Sequence, residues 1–577
     1  MHMVSNTSKP SKRVSCSFSN NSISIGGFGN GLGGDEEDRV LGRSAYAEGD
    51  NRYRPSSGLD SSGIIDELST LLTSGRLSQE KRNLLKTVYD GSQGAAKYIN
   101  AQQLIATSPE FHTNGISRST QEDRSYDKKS PSTTNGYKAI VEIRLTGGWD
   151  SFNVLVPHLC HGTNAAGMTV DQQYRSLRGE LALTQAESDF QISVDPSDGQ
   201  PCSKFVIHPD LPTVKELYDD GSLVFFANTG VLNTAETTKS NYEEVTISNL
   251  FAHNAMTLET SLIDPYRKEY GTGIMGRMSE TLTRKGLSTL GVALDEPNES
   301  LVSQSTGLAP PPIIVSRFGA TKFNRRPEDE ESFLLKELSG AMNQKTELFS
   351  NVFSETWSAE YTSAIEQSNF LADALKETTL SRGWDGSNNK SASRLAMVAR
   401  LLQTKKARGV DRDMYFVKTG FYDHHANMKR ELSNELSDLE SGLRAFVAEV
   451  KQLGLWNDIV VIISSEFGRT LTMNGQEGSD HAWGGHYLMF GGAVKGGRIL
   501  GKYPNDLTDT GPTSIGRGRF MPTTSWDVIW NGVAQWMGMG TDEISEVLPN
   551  LHRTYGKEGF TKPFEESDLF RVSATSI

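Results

Sequence analysis

The chain has 577 residues, enough for one large α/β domain with appendages or for several domains. Its 71 acidic residues outnumber 58 basic ones, giving a formal charge of −13, and no basic stripe offsets that balance, so a nucleic-acid partner is excluded. Three cysteines, Cys16, Cys160 and Cys202, form no CxxC pair and leave one over under any pairing, and no run is apolar over a membrane-spanning length. Neither a disulfide scaffold, a thiolate metal site nor a membrane span is expected.

Residues 1–58 are rich in Ser, Asn and Gly, with an acidic run from Asp35 to Asp38, and are expected to form a disordered leader. No apolar segment follows the basic residues at its start, so no secretory signal is read. Gly29, Gly31 and Gly34 satisfy G-x-G-x-x-G but have no βαβ unit around them, and they mark no dinucleotide site. Residues 59–115 turn helical, with Ile64, Ile65, Leu68, Leu71 and Leu72 and later Leu84, Leu85 and Val88 at helical spacing. Two or three helices are predicted there as an accessory segment, and the polar, proline-bearing residues 116–135 read as a linker.

Residues 136–568 form the predicted α/β body. A β-rich run from Tyr137 to Leu145 stops at Thr146, Gly147, Gly148 and Trp149 and delivers Asp150 and Asn153. A helix over Leu211–Tyr218 precedes a buried strand over Leu223–Ala227, and Ser332–Ser381 reads as a helical insertion or covering layer. The clearest unit is a strand at Met414–Val417, a helix from about Ala426 to Leu453 with a leucine stripe, and an apolar strand from Asp458 to Ile463. That is a βαβ crossover, which predicts parallel strands with their carboxyl ends on one side. Leu500–Pro522 reads as a loop, and Thr524–Met539 as a helix whose tryptophans are structural.

Three strand-like runs thus end in acidic residues, and two bring histidine as well. The first delivers Asp150, the second Asp423, His424 and His425, and the third a glycine-studded loop with Glu466, Arg469, Asp480, His481 and His486. Carboxylate oxygens and imidazole nitrogens suit Zn²⁺, Mn²⁺ or Fe, and ligands in open α/β sheets gather beyond the carboxyl ends of strands. Any one of these residues has an ordinary alternative: Asp150 after two glycines can close a turn, and Asp-His pairs occur by chance. The expected ligands are Asp150, Asp423, His425, Glu466, Asp480, His481 and His486. His425 is preferred over His424 because it shares a face with Asp423 at a spacing of two. Arg469 is expected either to clamp a substrate oxygen or to orient Glu466, and Arg469, Lys495, Arg498 and Lys502 to make the pole locally positive.

The segments LTGGWDSFNVLVPH, FVIHPDLPTVKELYDDGSLVFFANTG, GFYDHHANM, SSEFGRTLTMNG and SDHAWGGHYLMFGGAVKGGRILGKYP, in that order, resemble the family known as domain of unknown function 1501. The resemblance covers most of residues 137–550. It implies a relative of the alkaline phosphatase and sulfatase superfamily: an α/β sandwich with a largely parallel central sheet flanked by helices and metal ions at the strand ends. The seven ligands above stand at the family's acidic and histidine positions, and His208 and His253 match further family histidines, His253 as a catalytic residue. The family typically has Ser-His where this chain has Ala252-His253, so a serine nucleophile is not expected at that position. Thr229, Thr238 and Ser240 lie in no defensible motif.

The expected function is hydrolysis of a phosphate or sulfate ester, of small-molecule or glycan type, using two divalent cations about 3.5–4 Å apart. The alternatives are a non-catalytic surface or scaffold protein that keeps the fold, and a phosphomutase or transferase using the same metal pole.

Overall fold

The structure is a computed structural model that describes residues 53, 55–94, 96–122, 124, 136–183, 188–266, 271–304, 308–320, 337–347, 351–381, 384 and 390–571, together with the backbone of two short strands near the start. Those strands, β1 (Val14–Ser19) and β2 (Ser22–Gly27), pair antiparallel within the segment expected to be a disordered leader. The rest of that leader, including the glycine motif at 29–34, lies outside the described residues, as does most of the predicted linker. Among the described residues no helix is long and apolar enough to cross a membrane.

The chain divides into two compact units, Met1–Lys128 with Thr321–Ala372, and Lys129–Ala320 with Asp373–Ile577. In the first, helices Ser61–Thr73, Gln79–Gly91 and Ala96–Ala106 bury Ile65, Leu68, Leu85, Val88, Leu104 and Ile105 against one another, and Met342 joins this core. Asp60 and Ser78 cap the first two helices by accepting backbone N–H bonds, which satisfies donors that a helix start leaves open. A buried Lys81–Glu110 pair, 2.7 Å apart, and an Arg124–Glu355 pair, 2.6 Å apart, fasten the chain on either side of this core. The segment expected as a helical insertion or covering layer, Ser332–Ser381, therefore belongs to the N-terminal unit as far as Ala372.

The second unit is built on a sheet of β3 (Lys138–Leu145), β7 (Leu223–Gly230), β8 (Thr289–Leu294), β9 (Ile313–Val315), β10 (Arg412–Thr419), β11 (Ile459–Ser464), β12 (Gly485–Phe490), β13 (Arg498–Gly501) and β14 (Thr524–Ser525). The order is β13-β7-β12-β11-β3-β10-β8-β9, with β14 beside the end of β7. Every pairing is parallel except those of β12, which runs against β7 and β11. β3 and β11 are buried almost throughout, as parallel strands covered on both faces must be, hence their near-continuous apolar runs. From β10 the chain crosses through the helix Met428–Gln452, which buries Leu432, Leu436, Leu439 and Leu443, and returns as β11 on the far side of β3. Both carboxyl ends consequently lie at one pole.

A smaller antiparallel sheet joins β4 (Leu155–Cys160), β5 (Gln191–Ser193) and β6 (Cys202–Ile207). In it Cys160 and Cys202 are register partners and form a disulfide, a single bond that the expectation of no disulfide scaffold did not foresee. Pairing across two neighbouring strands, 42 residues apart in sequence, left no local spacing to read.

Candidate metal centre

At the pole the chain turns sharply after each strand. Gly147 follows β3 with φ +108°, and a Cβ there would sit 2.4 Å from the backbone nitrogen of Asp423, so only glycine lets the first and second strand ends meet. After β11 the chain forms a short ribbon: Gly468 N–H donates to Trp483 O and Ala482 N–H to Gly468 O, which sets Arg469 opposite His481. The loop between them clasps the second segment, with Asn474 donating to His425 O and Ser479 N–H to His424 O. His253 arrives on the first turn of the helix His253–Leu262, with Ala252 as its N-cap.

These turns gather His253, Asp423, His425, Glu466, Asp480 and His481. His253, Asp423 and His481 offer ligand atoms all within 4.8 Å of one another. His253 Nε2 is 3.1 Å from His481 Nε2 and 3.5 Å from Asp423 Oδ2, and His481 Nε2 is 3.2 Å from Asp423 Oδ1. His425 Nε2 stands 3.0 Å from both Asp423 Oδ1 and His481 Nε2.

The opposite ring nitrogens fix how these imidazoles are protonated. His253 Nδ1 lies 2.8 Å from Glu466 Oε1, His425 Nδ1 3.2 Å from Asp480 Oδ1, and His481 Nδ1 2.8 Å from the Phe251 carbonyl. Each of these partner oxygens can only accept, so with the hydrogen on Nδ1 each Nε2 turns a lone pair inward, the form that ligates a metal; His425 Nε2 also faces a carboxylate, that of Asp423. Three lone pairs and a carboxylate facing one another repel unless a positive charge sits among them. A single proton satisfies one such contact, whereas a cation satisfies all. This donor set, each histidine backed by a carboxylate or carbonyl, fits Zn²⁺ or another divalent transition metal.

Electrostatics agree with the geometry. Burial works against the Asp423 carboxylate, but the Arg469 charge and hydrogen bond hold it below its ordinary range. Glu466 is likewise held low against its burial, by His253, Gly147 and Ser465. The hydrogen bond to Glu466 raises His253, while burial lowers His481.

Several expected roles change. Glu466 and Asp480, expected as ligands, place oxygens against His253 Nδ1 and His425 Nδ1. Arg469 is fully buried and donates to Gly148 O, Ser479 O, Gly147 O and Asp423, so its fork is engaged inward and is not free to clamp a substrate oxygen. Nor does it orient Glu466; its carboxylate partner is Asp423. Asp150 is buried in an ion pair with Arg178, a residue on the helix Val170–Arg178 that no local pattern connects to it. His486 opens β12 at an irregular step in register between Gly485 and Tyr487. Its ring stacks on Tyr503 and accepts from Asn228 N–H, so it belongs to the interior and not to the ligand cluster. His208 accepts from Asp210 N–H, and His424, whose ring burial depresses to about 4, is enclosed.

Of the expected positive residues, Arg498 starts β13 and pairs with Asp198, at the sheet's opposite end. Two arginines passed over in the sequence stand beside the cluster instead: Arg517, 3.4 Å from Asp480 Oδ2, and Arg519, which donates to His481 O. The Gly-Arg-Gly-Arg run at 516–519 was the signal available for them.

Comparison with solved structures gives only remote likeness. The PsFucS1 sulfatase from Pseudoalteromonas sp. is 10% identical over 75% of this chain and 74% of that one, with a TM-score of 0.29. An alkaline phosphatase superfamily protein from Vibrio parahaemolyticus is 11% identical over 79% and 78%, with a TM-score of 0.26. TAB5 alkaline phosphatase, a His-to-Glu mutant with bound Mg, is 10% identical over 64% and 95%, also at 0.26. No curated protein matches. The profile of a family described as "Protein of unknown function (DUF1501)" matches residues 137–514, a span that holds the whole cluster of histidines and carboxylates, and the chain belongs to that family.

Proposed function

We propose that this protein is a metal-dependent hydrolase of phosphate or sulfate esters. The observation that carries the reading is the convergence of three Nδ1-anchored histidines on one aspartate at a pole that stays open. The side chains of His253, His425, His481 and Asp423 keep 36%, 44%, 22% and 25% of their surface exposed. A structural metal site is closed by its ligands, whereas a catalytic one keeps a face for water or substrate. That open face also argues against the scaffold reading.

His253, Asp423 and His481 would hold one cation, with His425 as a further donor on the Asp423–His481 edge. Bound there, the cation would supply Lewis acidity and lower the pKa of water. Glu466, Asp480 and the Phe251 carbonyl keep the three rings in their ligating tautomer, and Arg469 keeps Asp423 ionised and in place. Hydroxyls beside the cluster in the chain are engaged within the fold: Ser465 Oγ donates to Leu145 O, Thr470 Oγ1 accepts from Asp480 N–H while donating to Thr472 O, and Ser479 Oγ donates to Met428 Sδ. With Ala252 at the helix start, water is the nucleophile, its oxygen displacing the ester alcohol directly.

Elemental analysis of protein grown with Zn, Mn and Fe supplied in turn, beside His481→Ala, tests the reading. Metal retained by the wild type and lost in the variant, with phosphate or sulfate ester turnover that depends on it, is the expected result. Failure to take up any of the three ions overturns it.

A further inference from the structure

The segment Ser514–Phe520 is a tight hairpin seated on the metal pole. Ser514 and Phe520 bridge its base, and Ile515 N–H donates to Arg519 O at 3.0 Å. Leu471 N–H donates to Gly518 O at 2.8 Å, and a Cβ on Gly518 would lie 2.5 Å from Thr472 N. The hairpin is thereby pressed onto the residues that follow Arg469. Its two arginines do different things. Arg519 lies 4.3 Å over the Phe251 ring and donates to His481 O, while the Phe251 carbonyl takes the His481 Nδ1 hydrogen. Arg519 therefore helps position that ring.

Arg517 sits at the tip, at φ +59° between two glycines, with 73% of its side chain exposed. Its one ion pair in the structure is to Asp480, at 3.4 Å. A pair so exposed is weak and easily exchanged. Of the three arginines in contact with the site, Arg469 is sealed and Arg519 partly covered, so Arg517 offers the most open fork. On a chain of net charge −13, an anion needs such a local cation to approach.

We propose that Arg517 is the residue that receives the charged oxygens of the substrate: its guanidinium leaves Asp480 and takes two oxygens of a tetrahedral phosphate or sulfate group in a planar fork. This rests on the metal-centre reading above. It names the substrate contact that distinguishes an anionic ester from a neutral one.

The test is titration calorimetry of inorganic phosphate and inorganic sulfate into metal-loaded full-length protein, for wild type, Arg517→Ala and Arg517→Lys, with metal content and thermal midpoint measured on each. Because Arg517 is exposed and holds no metal, all three should fold and load alike. The expected result is anion affinity weakened about tenfold or more in Arg517→Ala, with Arg517→Lys in between because charge survives but the fork does not. Equal anion affinity in wild type and Arg517→Ala overturns the proposal while leaving the metal centre standing. A metal-loaded wild type that binds neither anion overturns the proposal and the ester reading together.

Discussion

At the scale of single residues, the pole separates groups that would touch a metal from groups that hold those groups. Glu466 Oε1 accepts from Gly147 N–H at 2.7 Å and faces His253 Nδ1 at 2.8 Å, while Ser465 Oγ lies 3.0 Å from its other oxygen. Glu466→Gln keeps the shape but removes the charge behind His253. Orienting partners of this kind are worth about 10–100-fold in metal affinity. The variant should therefore still bind metal, more weakly by that factor, in competition with a chromophoric chelator; complete loss of metal would make Glu466 a ligand. The composition of the site was legible in the sequence because Asp423, His425, Glu466, Asp480 and His481 all follow apolar strands. Their division of labour was not, since a carboxylate that ligates and one that orients look alike until the distances are known. The Asp150 ion pair was hidden for a related reason: its partner Arg178 is 28 residues on, in another element.

At the scale of elements, the strands buried on both faces, β3, β10 and β11, and the crossover helix between the last two were legible as uninterrupted apolar runs and a leucine stripe. β12 was not. Its six residues follow a string of glycines, so they read as the tail of a loop, and with them His486, which lies at the same pole but is turned into the interior. Less visible still was how the helix carrying His253 is held. β3 places Glu142 and Arg144 on one face, both buried, and Arg144 reaches from Glu142 and Ser464 Oγ to Thr260 Oγ1 at 2.7 Å on that helix. Removing one member of a buried pair leaves the other charge uncompensated. Arg144→Met should thus lower unfolding free energy by about 3–5 kcal/mol in urea titrations and weaken metal binding through His253. Replacing both members, Glu142→Leu with Arg144→Met, should restore much of the stability. If the single variant is as stable as wild type, the pair does not anchor the helix.

Over the α/β unit as a whole, two buried groups make stability depend on pH in opposite senses. Burial depresses His486 to about 3, so its neutral form is favoured in the fold, and this contribution is complete above its ordinary 6.5 and is lost as pH falls toward 3. Asp527, on the first turn of the helix Trp526–Met537, is raised by burial to about 7. It is favoured protonated, so its contribution is complete below 3.8 and is lost as pH rises from there to 7. Each slope is about 1.4 kcal/mol per pH unit within its window. Between pH 4 and 6.5 the two run against each other, and their joint effect in the wild type is nearly flat. Asp527→Asn removes the acid-favouring member and should leave a protein whose thermal midpoint falls steadily, relative to wild type, as pH is lowered from 6.5 to 4. His486→Phe keeps an aromatic ring against Tyr503 without a titrating group and should do the reverse, gaining on wild type over the same interval. Parallel midpoint curves for wild type and both variants across that range would show that neither group titrates on unfolding, and that the interior around His486 and Asp527 admits water.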